Sequence, residues 1–223
     1  MFTGFSPEAI DFLSEVKSRN SKSWFESHRT IYRKYLYEPF QELVMDLNEP
    51  MLSIDPEFET RPLINRTISR IYRDTRFSRD KSLFRNTMWL TYKRRSPDWQ
   101  NAPSFFFEIT PTFYRYGMGY YSASSATMQA FRDKIDDDPA QFQKVIAFLH
   151  ETSVFELRGA EYKRPKPHNH PPDIAEWYQR KSFYLCSQHD FDDLFHSEKL
   201  TDELIAGFLT LGSLYQFLLP LSR

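Results

Sequence analysis

Apolar residues in the first part of the chain recur at the three- and four-residue spacing of amphipathic helices. Ala9, Leu13 and Val16 lie on one helical face. They follow Ser6, which offers a capping hydroxyl, and Pro7, which suits the first helical position because its missing N–H has no partner there. The pattern predicts a first helix that starts at Pro7.

Two more helices are predicted before residue 60. Ser23 to Glu26 has the form of a capping box, in which the serine and glutamate side chains each accept a free backbone N–H, so a second helix should run from Trp24 to about Tyr37. Pro39 fits the first turn of a third helix. Pro50 and the pair Asp55-Pro56 are expected to end that helix.

The pattern changes to that of strands between about Leu63 and Ser122. Residues 104–109 are rich in β-forming side chains, 110–112 suit a turn, and 113–121 alternate enough to return as the second arm of a hairpin. Further strands are predicted over 68–73 and 87–92.

Helical patterns resume in the last hundred residues, at Ser124 and again after Asp138-Pro139, an aspartate cap followed by a first-turn proline. Residues 165–172 contain four prolines, which exclude helix and ladder hydrogen bonds, so this Pro/His segment is expected to be a loop. Short strands near 154–157 and 182–186 and a closing helix over 201–218 complete the predicted elements.

Strands in the middle of the chain with helices on both sides predict an α+β fold, with a mainly antiparallel central sheet flanked by N-terminal and C-terminal helices. We expect a single domain over 1–223, helical in 1–60, with a sheet and an arginine-rich loop in 61–122 and mixed structure in 123–223. The Pro/His segment could instead be a linker, but the chain after it is short for an independent core.

Composition favours a folded chain with a large aromatic core, since the 223 residues include 21 Phe, 13 Tyr and 4 Trp. The one cysteine, Cys186, excludes an internal disulfide and is expected to be a small core residue, which favours a reducing, cytoplasmic location. The most apolar stretch, Ile205 to Leu221, is interrupted by polar residues and glycines and falls short of the ~20 apolar residues that span a bilayer. We therefore expect a core helix and no membrane anchor.

Charge is distributed unevenly along the chain. Residues 61–95 contain nine arginines and two lysines against Asp74 and Asp80, a local charge of +9 in a chain whose net charge is −1. The remaining residues therefore carry −10, the difference between these two values, and would repel a polyanion. Because only the basic segment could attract a polyanion, the charge distribution argues against a general nucleic-acid binder.

Four arginines inside this segment recur every three residues, a spacing that matches neither a helix nor a strand. The spacing predicts a strand that ends near Arg73, followed by an irregular loop over 74–84. The recurring arginines are Arg70, Arg73, Arg76 and Arg79.

The basic loop has two interpretations. In the first, Arg70, Arg73, Arg76 and Lys81 converge on a phosphorylated or carboxylated ligand, because guanidinium forks match planar anions. Its two aspartates then orient the guanidinium groups or exchange a proton, which makes them candidate catalytic residues. In the second, the same aspartates pair with the arginines and form a structural clamp. Asp74 and Asp80 are the residues in question.

Glu108 is a third candidate catalytic carboxylate, because it lies in the apolar run 105–109. It could act as a general base or as an arginine partner, and a position that faces outward into solvent is the third alternative.

The residues of the loop also carry a resemblance. Arg70-x-x-Arg73-Asp74-x-Arg76-Phe77, followed by Asp80-Lys81-x-x-Phe84, resembles the signature R-x-x-R-D-x-R-F … [D/N]-K-x-x-Y of a mainly bacterial family, domain of unknown function 2461. Phe84 stands where the pattern has tyrosine. The opening Phe2-Thr3-Gly4-Phe5 and the closing Tyr215 to Leu218 are similar to that family as well. The resemblance implies an intracellular, single-domain protein with no established activity.

Other motifs suggest neither a metal nor a cofactor. His168 and His170 are two neighbouring imidazoles that would need a third ligand for a metal site, and a solvated loop is the alternative. The acidic run 136–138 is explained by a turn and a helix cap. Gly117-Met118-Gly119 lies in a predicted strand and lacks the third glycine of a dinucleotide loop. We predict no cofactor.

Two functions from different classes therefore stay open. One is an enzyme or small-molecule binder with its site near Arg73 to Lys81. The other is a non-enzymatic module that uses residues 61–99, where aromatic rings alternate with cations, to bind nucleic acid or an acidic protein. The mixture of arginines and aspartates favours the first. The sequence predicts neither a reaction nor an oligomeric state.

Overall fold

The computed structural model describes residues 1–76, 79–151 and 154–221 of the chain. Its helices are α1 Pro7–Ser18, α2 Lys22–Tyr32, α3 Glu38–Ile54, α4 Ser125–Asp137, α5 Pro139–Ile146, α6 Phe148–Glu151, α7 Pro172–Tyr178 and α8 Lys199–Leu218. Its strands are β1 Met88–Tyr92, β2 Pro103–Ile109, β3 Tyr114–Tyr120, β4 Glu156–Arg158 and β5 Tyr184–His189.

The first helix forms where the sequence predicts it, and its apolar face is buried. The start of α2 differs from the prediction. Ser21 has an extended backbone and its hydroxyl accepts the Trp24 N–H at 3.3 Å, so Ser21 is the N-cap and the capping box at 23–26 is wrong. Any serine three residues before a free N–H can cap, and the sequence offered two of them.

Helices α2 and α3 are joined by one wider, π-helical stretch over Arg33–Tyr37. Pro39 lies in the first turn of α3, as predicted, and the helix ends at Ile54 before Asp55. Pro50 is inside α3, so the expectation that it ends the helix is wrong. The apolar face of α3 is fully buried, and packing of this kind offsets the loss of one helical hydrogen bond.

The strands of the described residues form one five-stranded antiparallel sheet in the order β1-β2-β3-β5-β4. Strands β4 and β5 pair with Glu156 opposite Cys186 and Arg158 opposite Tyr184. The turn between β2 and β3 is closed by the Thr110 N–H, which donates to the Phe113 carbonyl at 2.9 Å. The α+β fold with an antiparallel sheet and flanking helices is thus confirmed.

Residues 68–73 do not form the predicted strand. Ile68 makes a single antiparallel bridge with Leu90 of β1, and Tyr72 makes another with Phe84. The Ser69 N–H donates to the Trp89 carbonyl at 2.9 Å, after which the chain leaves β1. Pairing with two different partners a few residues apart prevents a continuous ladder.

The chain forms two compact units, each built from discontinuous segments. Unit 1 comprises Met1–Tyr92, Phe106–Tyr116 and Gln188–Ala206, and unit 2 comprises Lys93–Phe105, Gly117–Ser187 and Gly207–Arg223. The Pro/His segment at 165–172 lies within unit 2. The single-domain organisation over 1–223 stays a prediction.

The later helices begin largely as their sequence signals indicate. Ser124 caps α4 by accepting the Thr127 N–H at 3.1 Å, and Asp138 caps α5 by accepting the Gln141 N–H at 2.9 Å. Helix α7 begins at Pro172, a proline that the sequence analysis assigned to a loop.

The last helix is the most apolar element. The segment Lys199–Leu221 has 23 residues, and its most apolar window has a mean hydropathy of 1.7, so it is long and apolar enough to cross a membrane by length and composition alone. The core helices of globular proteins share these properties, and 44% of its most apolar window is buried. Its role as a core helix stays a prediction.

Candidate functional site

The basic loop is closed at its base by two backbone hydrogen bonds. The Arg73 N–H donates to the Leu83 carbonyl and the Arg85 N–H donates to the Ile71 carbonyl, both at 2.8 Å, on either side of the bridge between Tyr72 and Phe84. We call residues 73–83 the signature loop. Its residues 77 and 78, which include Phe77 of the motif, lie outside the described residues.

Asn20 holds the end of this loop, a role that the sequence analysis missed. Its amide donates to the Phe84 carbonyl at 2.8 Å, and its amide oxygen accepts the Phe84 N–H at 3.0 Å. The same amide nitrogen also donates to the Val16 carbonyl near the end of α1, at 3.1 Å. An asparagine just after a helix is a common helix end, but no local signal identifies a partner 64 residues away.

Aromatic rings form the base beneath the loop. Phe84 is 1% exposed and its ring stacks on that of Phe25 at 4.4 Å, with the Tyr72 ring 4.8 Å away. Tyr32 packs against Phe25, and burial raises the pKa of its phenol. At position 84, therefore, the phenyl ring that replaces the tyrosine of the family pattern serves as a buried packing element.

Asp74 gathers two of the predicted ligand-binding arginines. Its carboxylate accepts from Nε and Nη2 of Arg76 at 3.0 and 2.7 Å, and Nη2 of Arg70 lies 3.6 Å away. The side-chain hydrogen bonds from Arg76, followed by its backbone N–H, hold the pKa of Asp74 far below its usual range. A carboxylate that stays ionised at neutral pH suits the orientation of guanidinium groups better than proton transfer.

A second pair joins Arg73 to Asp80, with 3.2 Å between Nη2 and the carboxylate. The Ser82 N–H donates to Asp80 at 2.9 Å, and this bond is the main cause that lowers the pKa of Asp80. The Nε of Arg73 is buried and has no hydrogen-bond acceptor among the described residues. Lys81 reaches across the loop and donates to the Thr75 carbonyl at 2.7 Å.

Asp74 thus pairs with Arg70 and Arg76, and Asp80 pairs with Arg73, while Lys81 binds a backbone carbonyl. Five cations face two aspartates within residues 70–81, which leaves a net charge of +3. The side chain of Arg76 is 76% exposed and that of Arg70 is 44% exposed. Arg73 is more enclosed, at 26%. The arrangement can therefore offer guanidinium groups to an anion while the aspartates hold them in position.

Glu108 has its partner on the neighbouring strand of the β2–β3 hairpin. Its carboxylate pairs with Nε of Arg115 at 2.5 Å, and its side chain is 18% exposed. The Arg115 guanidinium also lies 5.9 Å from the ring centre of Phe106 and 5.8 Å from that of Phe113. Of the alternatives drawn from the sequence, this geometry is that of an arginine partner.

The interleaved rings and cations near residues 89–99 take part in separate cation–π contacts. The Arg85 guanidinium lies 4.8 Å from the Trp89 ring. Elsewhere, Lys93 Nζ lies 3.5 Å from the Trp99 ring, and burial lowers the pKa of this lysine. Tyr121, which packs against Trp99, is 71% exposed.

Residues 165–171 form a largely exposed loop, as predicted, but its two histidines pack against neighbouring side chains. His170 Nε2 lies 2.7 Å from one oxygen of Asp136, and the Tyr178 hydroxyl donates to the other at 3.0 Å. His168 Nδ1 accepts the His170 N–H at 3.2 Å. Within residues 1–76, 79–151 and 154–221, no group of three His, Cys, Asp or Glu side chains is arranged to hold a metal ion.

A polar cluster around the buried Tyr114 and Tyr116 in unit 1 was not foreseen from the sequence. The Tyr116 hydroxyl donates to Glu203 at 2.5 Å, and the Tyr114 hydroxyl donates to Asp192 at 3.4 Å. The His189 ring stacks on that of Tyr116 at 6.0 Å. Burial, followed by the charge of Asp192, raises the pKa of Tyr114. Both hydroxyls donate to carboxylates, and the alternating strand pattern alone does not reveal these partners.

Comparison with known proteins connects the loop to a family. Residues 8–217 match the model of a family described as "Conserved hypothetical protein (DUF2461)", which confirms the resemblance found in the sequence over nearly the whole chain. No curated protein matches the chain.

Proposed function

We propose that this protein, which belongs to the DUF2461 family of conserved hypothetical proteins, binds a small phosphorylated or carboxylated ligand at the signature loop. In this proposal Arg73 is the main donor, and Arg70, Arg76 and Lys81 are the further cations offered to the ligand. Asp74 and Asp80 position these groups. The absence of a second cysteine supports a cytoplasmic setting for this binding.

The observation that carries the proposal is the state of the Arg73 side chain. Its Nη2 is held by Asp80 at 3.2 Å, while its buried Nε has no acceptor among the described residues. A buried donor without an acceptor is unfavourable, and one explanation for such a group is a ligand, ion or water that satisfies it. An oxyanion next to Nε would satisfy this donor.

The charges around Arg73 support the same conclusion. The signature loop and Arg70 keep a net charge of +3 after both aspartates are counted. Because charge-assisted hydrogen bonds to guanidinium are about twice as strong as neutral ones, a phosphate or carboxylate is the favoured ligand.

The binding test uses isothermal titration calorimetry with inorganic phosphate and, separately, succinate. Arg73→Ala should weaken one phosphate-binding event about tenfold, because a charge-assisted hydrogen bond is lost. Arg61→Ala is a matched control. Like Arg76, Arg61 pairs through Nε and Nη2 with an acidic residue two positions earlier, at 2.9 and 2.7 Å from Glu59, but it lies outside the loop. This control should bind phosphate as the natural protein does.

Two outcomes would overturn the proposal. If Arg73→Ala and Arg76→Ala keep the native circular dichroism spectrum and bind both anions as the natural protein does, the loop is a structural clamp. The alternative function, a module that binds nucleic acid, is correct if a labelled single-stranded oligonucleotide binds at the loop with an affinity that rises with chain length and falls steeply with salt. Arg73→Lys retains the charge and replaces Arg73→Ala if the latter does not fold.

A further inference from the structure

Arg132, in helix α4 of unit 2, is a buried cation that makes no ion pair with any described residue. Arg132 is 2% exposed, and its Nη2 donates to the Gln129 amide oxygen at 3.2 Å. Its Nε and Nη1 are buried and have no hydrogen-bond acceptor in the described part of the chain. Two of its three guanidinium nitrogens are therefore unsatisfied.

The surroundings of this guanidinium offset only part of the cost of burying it. The Tyr162 and Tyr178 ring centres lie 5.5 and 5.9 Å away, near the outer limit of a cation–π contact. A ring face does not accept hydrogen bonds as an oxygen does, and a buried charge without a paired group is strongly unfavourable. An anion that binds here would remove this cost.

Two lysines add to the positive charge at the same place. The ammonium groups of Lys166 and Lys181 lie 4.9 and 5.7 Å from the ring centre of Tyr162, the ring that Arg132 also faces. Among the described residues, none of these three cations makes an ion pair. Three like charges around one half-exposed ring repel each other unless an anion joins them.

The carboxylates of this region are engaged elsewhere. Asp136 binds His170 and Tyr178, as described above, and Asp133 accepts from the Gln129 side chain at 2.7 Å. Glu161 lies 3.2 Å from the Arg180 guanidinium. The carboxylates that the structure describes in this region therefore do not pair with the three cations.

The backbone that carries the lysines is held in place. The Gln179 side chain accepts the Lys166 N–H at 2.7 Å and donates to the Lys166 carbonyl at 2.9 Å. The Tyr162 N–H donates to the Gln179 carbonyl at 3.0 Å, and the Lys181 N–H donates to the Ala160 carbonyl at 2.7 Å. This framework fixes the backbone of both lysines before any ligand binds, which lowers the entropic cost of binding.

We infer that Arg132, Lys166 and Lys181 form an anion site around Tyr162 that takes the phosphate group of a small molecule, or free phosphate. A phosphate monoester carries close to two negative charges at neutral pH, which matches three cations better than a single carboxylate does. Tyr162 is half-exposed and borders all three cations. The site is independent of the function proposed for the signature loop.

The lysines give the first test. Calorimetric titration of the full chain with inorganic phosphate should show one binding event that the double variant Lys166→Gln/Lys181→Gln weakens at least about tenfold. Lys163→Gln is the control, because Lys163 is an exposed lysine of the same loop that makes no contact with the Tyr162 ring. Arg73→Ala should leave this event unchanged, so failure of the signature-loop proposal and failure of this one are distinguishable.

The results that would overturn the site are specific. It is excluded if the double variant binds phosphate with the same stoichiometry and affinity as Lys163→Gln. A glucose 6-phosphate titration identifies the source of the phosphate: stronger binding than inorganic phosphate supports a phosphorylated small molecule, and weaker binding supports the free ion. If succinate binds as tightly as phosphate, the assignment to phosphate is wrong.

Arg132 gives a second, independent test. Arg132→Met removes a buried unpaired charge, so its melting temperature in phosphate-free buffer should equal or exceed that of the natural protein. The rise in melting temperature that phosphate produces should shrink. A structural role predicts the opposite pair of results, a lower melting temperature without phosphate and an unchanged response to it. If the variant does not fold, the double lysine variant decides the question.

Discussion

Asn20 connects two distant parts of unit 1 through one side-chain amide. It binds both polar groups of the Phe84 backbone and the carbonyl of Val16. The aromatic base under the signature loop depends on this contact, because Phe84 stacks on Phe25 in α2. A residue outside the motif therefore determines where the motif lies.

Replacement of Asn20 by alanine should lower the free energy of unfolding by about 1–3 kcal/mol, since it leaves part-buried backbone groups of Phe84 without partners. Equilibrium urea denaturation measures the change. Ser18→Ala is the control, because its hydroxyl makes only an exposed hydrogen bond to Glu15 at the same helix end. A similar loss in both variants would contradict the role given to Asn20.

At the scale of elements, the packing of β3 against β5 depends on two glycines. A Cβ atom on Gly117 would collide with the Leu185 backbone, and one on Gly119 would collide with the backbone of Tyr184. These collisions involve fixed main-chain atoms, so neither strand can yield by a change of rotamer. The Gly-x-Gly pattern, unremarkable as a ligand motif, is thus a requirement for strand pairing.

Gly117→Ala should destabilise the protein by about 2–3 kcal/mol or more, because the extra methyl group overpacks the sheet. Gly212→Ala provides a matched comparison inside α8, where a Cβ atom meets nothing within 4 Å. That substitution should stabilise the helix by about 0.5–1 kcal/mol. Thermal and urea unfolding of both variants measures the contrast, and a loss of stability in Gly212→Ala would contradict the packing.

Most helix starts were predictable where a local group caps the helix, although α2 is capped by Ser21 and not by the predicted Ser23. Ser124 and Asp138 each cap the helix that follows them, as the sequence indicates. The predictions failed where distant packing overrides a local rule. Pro50 stays within α3 because the helix is buried along one face, and residues 68–73 divide their pairing between β1 and Phe84.

At the scale of the whole molecule, the stability should depend on alkaline pH through its buried phenols. Burial raises the pKa values of Tyr32, Tyr92 and Tyr120 above the ordinary value of 10.0. Folding therefore favours their neutral form, so their contribution is fully present below pH 10 and is lost as the pH rises beyond it.

Tyr92→Phe tests this dependence, with urea denaturation at about pH 7 and about pH 11. The natural protein should lose stability at the higher pH by up to about 1.4 kcal/mol per pH unit for each such tyrosine, and the variant should lose less. At neutral pH Tyr92→Phe should lower the free energy of unfolding by about 1 kcal/mol, because the lost hydroxyl donates to the Val44 carbonyl at 2.9 Å. Tyr121→Phe, at a residue that is 71% exposed, is the control. If the free energy of unfolding falls equally with pH in Tyr92→Phe and in the natural protein, the role given to burial is contradicted.

The sequence by itself determined the fold class, most of the helices and strands, and the family, because these depend on periodicity, caps and motif residues that are local along the chain. It also located the aspartates that pair with the loop arginines. Only the tertiary structure decided that Arg70 and Arg76 share Asp74, that Asn20 holds Phe84, and that Arg132 is buried without a partner. Those facts depend on contacts between residues far apart in sequence, and on which polar groups folding leaves unsatisfied, and no local pattern contains that information.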